Sequence, residues 1–228
     1  MLYLNECGIV CALGTSHGAI KARLLEHAQT GLVMSDAYSP GRVLPLGQVD
    51  AALPSMDAWP IQQRSRNNQL ALLALAQIRP AVDAAIARFG GDRIGVVIGT
   101  STSGVGGTET AMRQYVIDQT FPEDFHYAQQ ELGSPAAMLS VELGISGPAY
   151  VLSNACSSSA KAMASAARLI NMGLCDAVIT GGVDSLCAFT IAGFTALETV
   201  SAQLCNPLSA NRNGINIGEG SALFLMSR

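Results

Sequence analysis

Charge is what this chain has least of. Only 13% of its 228 residues are Asp, Glu, Lys or Arg, against the ~25% usual in a soluble domain. So few charges, on a chain that is 49% hydrophobic, imply that part of its surface is meant to be covered by something else. The 13 basic and 17 acidic residues leave a net charge of −4, which gives no reason to expect nucleic acid or an anionic membrane as partner. No apolar stretch reaches the ~18 residues of a membrane helix. Met1 is followed by neither a basic region nor a long apolar run, so neither a membrane span nor a signal peptide is expected. The six cysteines follow no framework spacing and accompany no export signal, so reduced thiols in the cytoplasm are expected. Cys7 and Cys11 are four apart with no second ligand pair at zinc-site spacing, which makes them strand residues and implies no metal. Repeats and low-complexity linkers are lacking too, and the chain reads as one domain over 1–228.

Against these absences stands one stretch, Val151 to Ile170 (Val-Leu-Ser-Asn-Ala-Cys-Ser-Ser-Ser-Ala-Lys and onward). Pro148 to Leu152 reads as a strand after a Gly-Pro break. A helix follows from near Ser157 and closes at Gly173. Cys156 therefore falls on a sharp strand-to-helix turn, where free backbone N–H groups and the positive end of the helix dipole favour a thiolate. A cysteine there is a candidate nucleophile, and the same N–H groups can stabilise an oxyanion. The bland alternative is a small buried apolar residue, the usual fate of a free cysteine. The helix itself has Ala or Ser at nine positions between Cys156 and Met172, with only Lys161 and Arg168 charged, seven apart. A helix that small and apolar is expected to be buried on more than one side.

The rest of the chain reads as alternating strands and helices. Residues 8–13 form a first strand and an amphipathic run to His27 a first helix. Residues 29–63, with Pro40, Gly41, Pro45, Gly47, Pro54 and Pro60 as breakers, read as surface loop. Ser65 to Phe89 is a long helix that Pro80 is expected to break or kink near Arg79. Its Arg64, Arg66, Arg79 and Arg88 are either a solvated face or a patch for an acidic partner. Arg93 to Thr100 and Asp176 to Gly181 are continuous apolar runs, as in a parallel sheet. Thr108 to Gln119, Tyr127 to Leu143 and Phe189 to Thr199 read as helices, and Asn216 to Met226 as a last strand. The glycine-rich loop after Gly99 matches neither G-x-G-x-x-G nor a Walker A motif.

Several of these segments together resemble the β-ketoacyl-acyl-carrier-protein synthases, the condensing enzymes of fatty-acid and polyketide synthesis. Asn154-Ala-Cys-Ser-Ser-Ser-Ala is similar to their nucleophile motif, and Gly99 to Gly107 to their glycine loop. Ala177 to Asp184, Gly193-Phe194 and Arg212 to Gly220 follow in the family's order. The resemblance covers the N-terminal half of such an enzyme. It implies an α/β, thiolase-like half: a mixed, mostly parallel sheet with helices on both faces and the nucleophile helix buried. It implies Cys156 as the nucleophile that accepts an acyl group from acyl carrier protein. A decarboxylative Claisen condensation with a malonyl thioester follows. It places Val105 and Phe194 along the acyl pocket, and has Gly106 and Gly107 pass close to the cysteine helix. The implied partners are a carrier protein with its phosphopantetheine arm and a second synthase subunit, usually as a homodimer. No other cofactor is implied. The family's active-site histidines and lysine lie in its second half, and His17, His27 and His126 match none of its motifs. Ser209 and Asn213 stand where the family usually has Asp, which leaves Arg212 without its usual carboxylates.

Two other functions fit parts of the chain. A non-catalytic chain-length-factor-like subunit would share the fold, but such subunits lack the cysteine. Gly14-Thr-Ser-His-Gly18 is formally a G-x-S-x-G match, so a serine hydrolase using Ser16 is the alternative from another class. The plain role for Thr15 or Ser16 is a helix cap.

Overall fold

A computed structural model describes residues 1–26 and 31–228, so His27 lies outside the described residues. In chain order the elements are β1 (Tyr3–Cys11), α1 (His17–Leu25), β2 (Val33–Ser35), β3 (Leu44–Leu46) and α2 (Arg66–Phe89). Then come β4 (Ile94–Gly99), α3 (Val105–Asp118), α4 (Ser134–Leu143), β5 (Ala149–Leu152), α5 (Ser158–Asn171), β6 (Ala177–Asp184), α6 (Ala188–Ala196) and β7 (Gly220–Ser227). Five strands form one sheet in the order β1-β7-β6-β4-β5. β5, β4 and β6 pair in parallel, and β7 is antiparallel to both β6 and β1. Four strands thus point one way and β7 alone is reversed, the mixed, mostly parallel sheet that was expected.

Side-chain alternation divides the sheet into two faces. Ile94, Val96 and Ile98 of β4 and Ile179 of β6 face α2 and α4, where they join Leu70, Ala74, Ile78, Val82 and Leu139 in the main core. Val97, Val178 and Met226 face the other way and meet Ala162, Ala166 and Ile170 of α5. A third cluster joins the β2–β3 hairpin to α6 through Leu44, Leu46, Leu186, Ile191 and Ile217.

Five local expectations are corrected. α2 runs unbroken through Pro80. The carbonyl that loses its partner there belongs to Ala76, and both Ala76 and Pro80 are exposed, so water replaces the missing hydrogen bond. The expected helix from Tyr127 to Leu143 is two pieces, a 3₁₀ turn at Tyr127–Gln130 and α4, with Gly133 as the N-cap of α4 and Pro135 in its first turn. Residues 31–63 are not all surface: Leu44 and Leu46 are fully buried. β7 begins at Gly220 rather than at Asn216, because Glu219 turns inward. Among the described residues α2 is the one helix long and apolar enough to cross a membrane by length and composition. Its Leu70, Leu75, Ile78 and Val82 are packed on the sheet, as in the core helix of a domain.

Candidate active site

The turn that carries Cys156 is built from the backbone outward. β5 ends at Leu152, and Ala155 then adopts φ +45°, a left-handed conformation that a residue with a Cβ seldom takes. Strain of that kind persists where surrounding bonds over-determine it, and here they do. The Ser158 hydroxyl donates to the Ala155 carbonyl at 2.6 Å and accepts from the Asn154 N–H at 2.8 Å. The Ser157 hydroxyl reaches the Asn154 Oδ1 at 2.7 Å. Two of the serines beside Cys156 thus act as turn braces. The turn pushes Cys156 outward, two residues ahead of α5, and it is the exposed one of the six cysteines. Burial pushes the thiols of Cys7, Cys175 and Cys187 up from their ordinary value, which leaves less thiolate at neutral pH.

α5 sits close to the sheet because glycines face it. A Cβ on Gly99 would overlap the backbone of Ser159, and one on Gly182 would overlap the Ser159 hydroxyl. These two, not Gly106 and Gly107, let backbone approach the cysteine helix. Gly106 nears the Leu186 carbonyl, and Gly107 has open space; both lie in the first turn of α3, which starts at Val105 rather than Thr108. α5 buries the stripe Ser158, Ala162, Ala166 and Ile170 and exposes Ser159, Ala160, Ala164, Lys161 and Arg168. In this chain the helix is therefore covered on its sheet side, while the small-residue flank expected to be buried as well is open.

Phe194 packs against the third cluster and lines a cavity of about 200 Å³ with Thr102, Asp184, Thr190 and Ile217. Val105 and Cys156 do not line that cavity. A larger cleft of about 690 Å³ runs between α2 and α3, with Arg64, Arg66, Gln69, Gly106 and Phe125 among its walls; none of Cys156, Val105 and Phe194 lines it. The structure thus places Val105 and Phe194 at two ends of neighbouring helices, without joining them to Cys156 in one enclosed space. Among the described residues no three His, Cys, Asp or Glu side chains converge as a metal site would need.

Two carboxylates missed in the sequence hold this region. Asp184, at the end of β6, accepts from the N–H groups of Ser101 and Thr102 and from the hydroxyls of Thr100, Ser101 and Thr102. It fixes the glycine loop to the sheet. Glu219, whose side chain is 0% exposed, accepts from Val49 N–H, Leu186 N–H and both Nε and Nη2 of Arg66. That pairing raises the Arg66 guanidinium further above its ordinary value. The only sequence sign was an acidic residue between glycines, or at a strand end, where backbone N–H groups are left unpaired.

The basic region of α2 is not a free patch. Arg66 pairs with Glu219, Arg79 with Asp83 and Glu142, and Arg64 donates to the carbonyls of Asp57 and Trp59. Arg212, without carboxylates, donates to the Gly214 carbonyl. Ser16 is the N-cap of α1, its hydroxyl accepting from Ala19 N–H at 3.2 Å. The neighbouring His17 ring bonds the Cys7 carbonyl instead, so the hydrolase geometry is not assembled. His126 caps the 3₁₀ turn at Tyr127.

Comparison with known proteins agrees with this layout. The family model for the beta-ketoacyl synthase N-terminal domain matches residues 28–228. Nodulation protein E of Rhizobium meliloti (strain 1021) is 27% identical over 227 residues, 98% of this chain and 56% of that protein. The 3-oxoacyl-[acyl-carrier-protein] synthase 2 of the same strain is 31% identical over 144 residues, 58% of this chain and 34% of that enzyme. The solved complex of a ketosynthase with its chain length factor from Xenorhabdus doucetiae contains a chain 45% identical to this one. It superposes with a TM-score of 0.94 over 100% of this chain and 58% of that one. The chain spans about half the length of the curated relatives it matches across its whole length. With the fold, the cysteine turn and these matches in agreement, the chain belongs to the β-ketoacyl synthase family, whose N-terminal domain it carries.

Proposed function

We propose that this chain supplies the nucleophile half of a β-ketoacyl-acyl-carrier-protein synthase. The observation that carries the reading is Cys156, exposed on a strained turn directly ahead of α5. Its thiolate attacks the thioester carbonyl of an acyl group on the phosphopantetheine arm of a carrier protein. A new S–C bond forms at Cys156, and the phosphopantetheine thiolate leaves. A malonyl thioester then loses carbon dioxide, and the carbanion so formed attacks the acyl-cysteine carbonyl. The β-ketoacyl product stays on the carrier, and the Cys156 thiolate is released. The Cys156 N–H forms one arm of the oxyanion hole in each addition step, and the second arm comes from the other half of the enzyme. Val105 and Phe194 border the acyl chain. Carrier protein and a second synthase subunit are the partners, and the setting is the cytoplasm.

The likeness to a ketosynthase–chain length factor complex makes the non-catalytic subunit the second reading. Cys156 separates the two, since a subunit that only measures chain length has no use for an exposed thiol on this turn. The test is to incubate the protein with an acyl-carrier thioester and map the adduct by peptide mass spectrometry. An acyl group on Cys156, lost in Cys156→Ala, supports the catalytic reading. No adduct on Cys156 from any acyl thioester overturns it in favour of the non-catalytic subunit.

A further inference from the structure

α6 carries Phe194, yet it has little of its own to hold it. Ile191 is its one buried residue, and Phe189 and Leu197 are 72% and 69% exposed. Its N-cap, Cys187, makes no side-chain cap bond. The first N–H groups of a helix have no partner within it and need one from outside. Here that partner comes from another helix. Glu109, in the second turn of α3, places Oε2 2.8 Å from the Ala188 nitrogen and Oε1 2.6 Å from the Phe189 nitrogen. Both N–H groups donate to one carboxylate, whose charge also suits the positive end of α6.

Val105 lies four residues before Glu109, on the same face of α3. The clamp therefore ties the helix of Val105 to the helix of Phe194. A second tie joins their lead-in segments: Ser185 donates from its hydroxyl to the Ser103 carbonyl at 3.2 Å, and its N–H donates to the Thr102 hydroxyl at 3.3 Å. With the lead-ins fixed, Glu109 is what sets how far the start of α6 stands from α3.

We infer that Glu109 is a positioning residue for acyl chain-length selectivity, acting by holding α6 against α3. This rests on the proposed reading, in which Val105 and Phe194 border the acyl chain. Glu109 touches neither substrate nor Cys156 in this role. Without it, α6 loses its cap, the spacing between the two helices relaxes, and longer chains gain over shorter ones.

The test uses the full protein with Glu109→Ala and Glu109→Gln, and two measurements. Amide hydrogen exchange at Ala188 and Phe189 reads the clamp without any substrate. Exchange there rises in Glu109→Ala, less in Glu109→Gln, and stays unchanged in β4. Acylation of Cys156 by a short-chain and a long-chain acyl-carrier thioester reads selectivity. The long-to-short ratio rises by about fivefold in Glu109→Ala, the size of a typical helix-cap loss, and by less in Glu109→Gln. An unchanged ratio, or an equal fall for both chains, overturns the inference even if exchange rises. If Glu109→Ala does not fold, an unchanged ratio in Glu109→Gln overturns it alone. Wild-type protein that acylates Cys156 with neither chain overturns the proposed function as well, and so separates the two failures.

Discussion

Gly99 at the end of β4 faces Ser159 in the first turn of α5 with no room between them, so that a methyl group on Gly99 would overlap the Ser159 backbone. Gly182 on the neighbouring strand meets the same residue, but at its hydroxyl. Backbone cannot move aside without taking the helix with it, whereas a serine hydroxyl can rotate. Gly99→Ala is therefore expected to be the worse substitution. It displaces the start of α5 and the turn carrying Cys156, lowers Tm by roughly 2–12 °C as an overpacked core does in a chain of this size, and slows acylation of Cys156. Gly182→Ala lowers Tm by less. Thermal melts of both variants, with alkylation rates at Cys156, check the order; a milder effect of Gly99→Ala would contradict the packing.

The strands and the cysteine turn were legible in the sequence because each has a local cause. Continuous apolar runs such as Ile94–Gly99 mark strands buried on both faces, and a strand followed by Ser and Ala marks the turn at Cys156. What was not legible depends on partners distant in sequence. Glu219 reads as a polar residue between two glycines, and nothing near it reveals Arg66, 153 positions away. Asp184 reads as the end of a strand, yet it holds a loop 82 to 84 positions before it. Pro80 read as a breaker because the sequence does not say that its side of α2 faces water. The close approach to α5 was assigned to Gly106 and Gly107 through the resemblance of the glycine loop to that of the condensing enzymes. The glycines that allow it are Gly99 at the end of β4 and Gly182 in β6, and nothing beside either in sequence names Ser159 as the residue it faces.

Glu219 and Arg66 form the second prediction. Removing one member of a buried pair leaves the other uncompensated, at a typical cost of about 3–5 kcal/mol. Arg66 is 33% exposed and Glu219 is not exposed, so the two single variants differ. Arg66→Met strands the carboxylate in the interior and is expected to cost about 3 kcal/mol or more. Glu219→Gln keeps one acceptor oxygen, enough for either Val49 N–H or Leu186 N–H, which bond different carboxylate oxygens. It leaves no buried charge, because Arg66 turns toward water, so it costs less. Chemical denaturation of the two variants and of the double variant checks this, with the double falling short of the sum of the singles because the residues share one network.

Cysteine reactivity gives a third. Burial raises the thiols of Cys7, Cys175 and Cys187, so at any pH below those values their thiolate fraction is smaller and alkylation slower. Cys156 is exposed. Limited alkylation of the folded protein near neutral pH, read by peptide mass spectrometry, is expected to modify Cys156 first and those three last. The gap narrows as pH rises and the buried thiols ionise. Early labelling of Cys7 or Cys205 would remove Cys156 from the nucleophile role.

Val105 offers a fourth. It opens α3, half-buried, on the helix that Glu109 clamps to α6. If the acyl chain runs beside it, Val105→Phe narrows the channel and shortens the acyl groups accepted onto Cys156, while short chains still transfer. A set of acyl-carrier thioesters of increasing length measures the cut-off. An unmoved cut-off takes Val105 out of the pocket.

The last prediction concerns what the 228-residue chain does by itself. Acyl transfer to Cys156 asks for a nucleophile and donors to one oxyanion. On the proposed reading this chain brings the thiol and one donor, the Cys156 N–H, since the N–H groups of Ser157 and Ser158 are bonded to Asn154 and Ala155. Condensation asks for more, because decarboxylation leaves a carbanion that needs its own stabilising donors. The described histidines are engaged elsewhere: His17 bonds the Cys7 carbonyl beside α1, and His126 caps a 3₁₀ turn. Arg66 and Arg79, two of the three arginines of α2, are held in ion pairs. The open flank of α5, with Ala160 and Ala164 exposed, is apolar enough to need a cover, so the isolated chain is expected to self-associate. Supplied with acyl-carrier and malonyl-carrier thioesters, the purified chain is expected to acylate Cys156 weakly and to form no β-ketoacyl product. Product that appears with the wild-type chain and vanishes with Cys156→Ser would show that these residues contain a complete condensing site, and the division of labour between two halves would have to be abandoned.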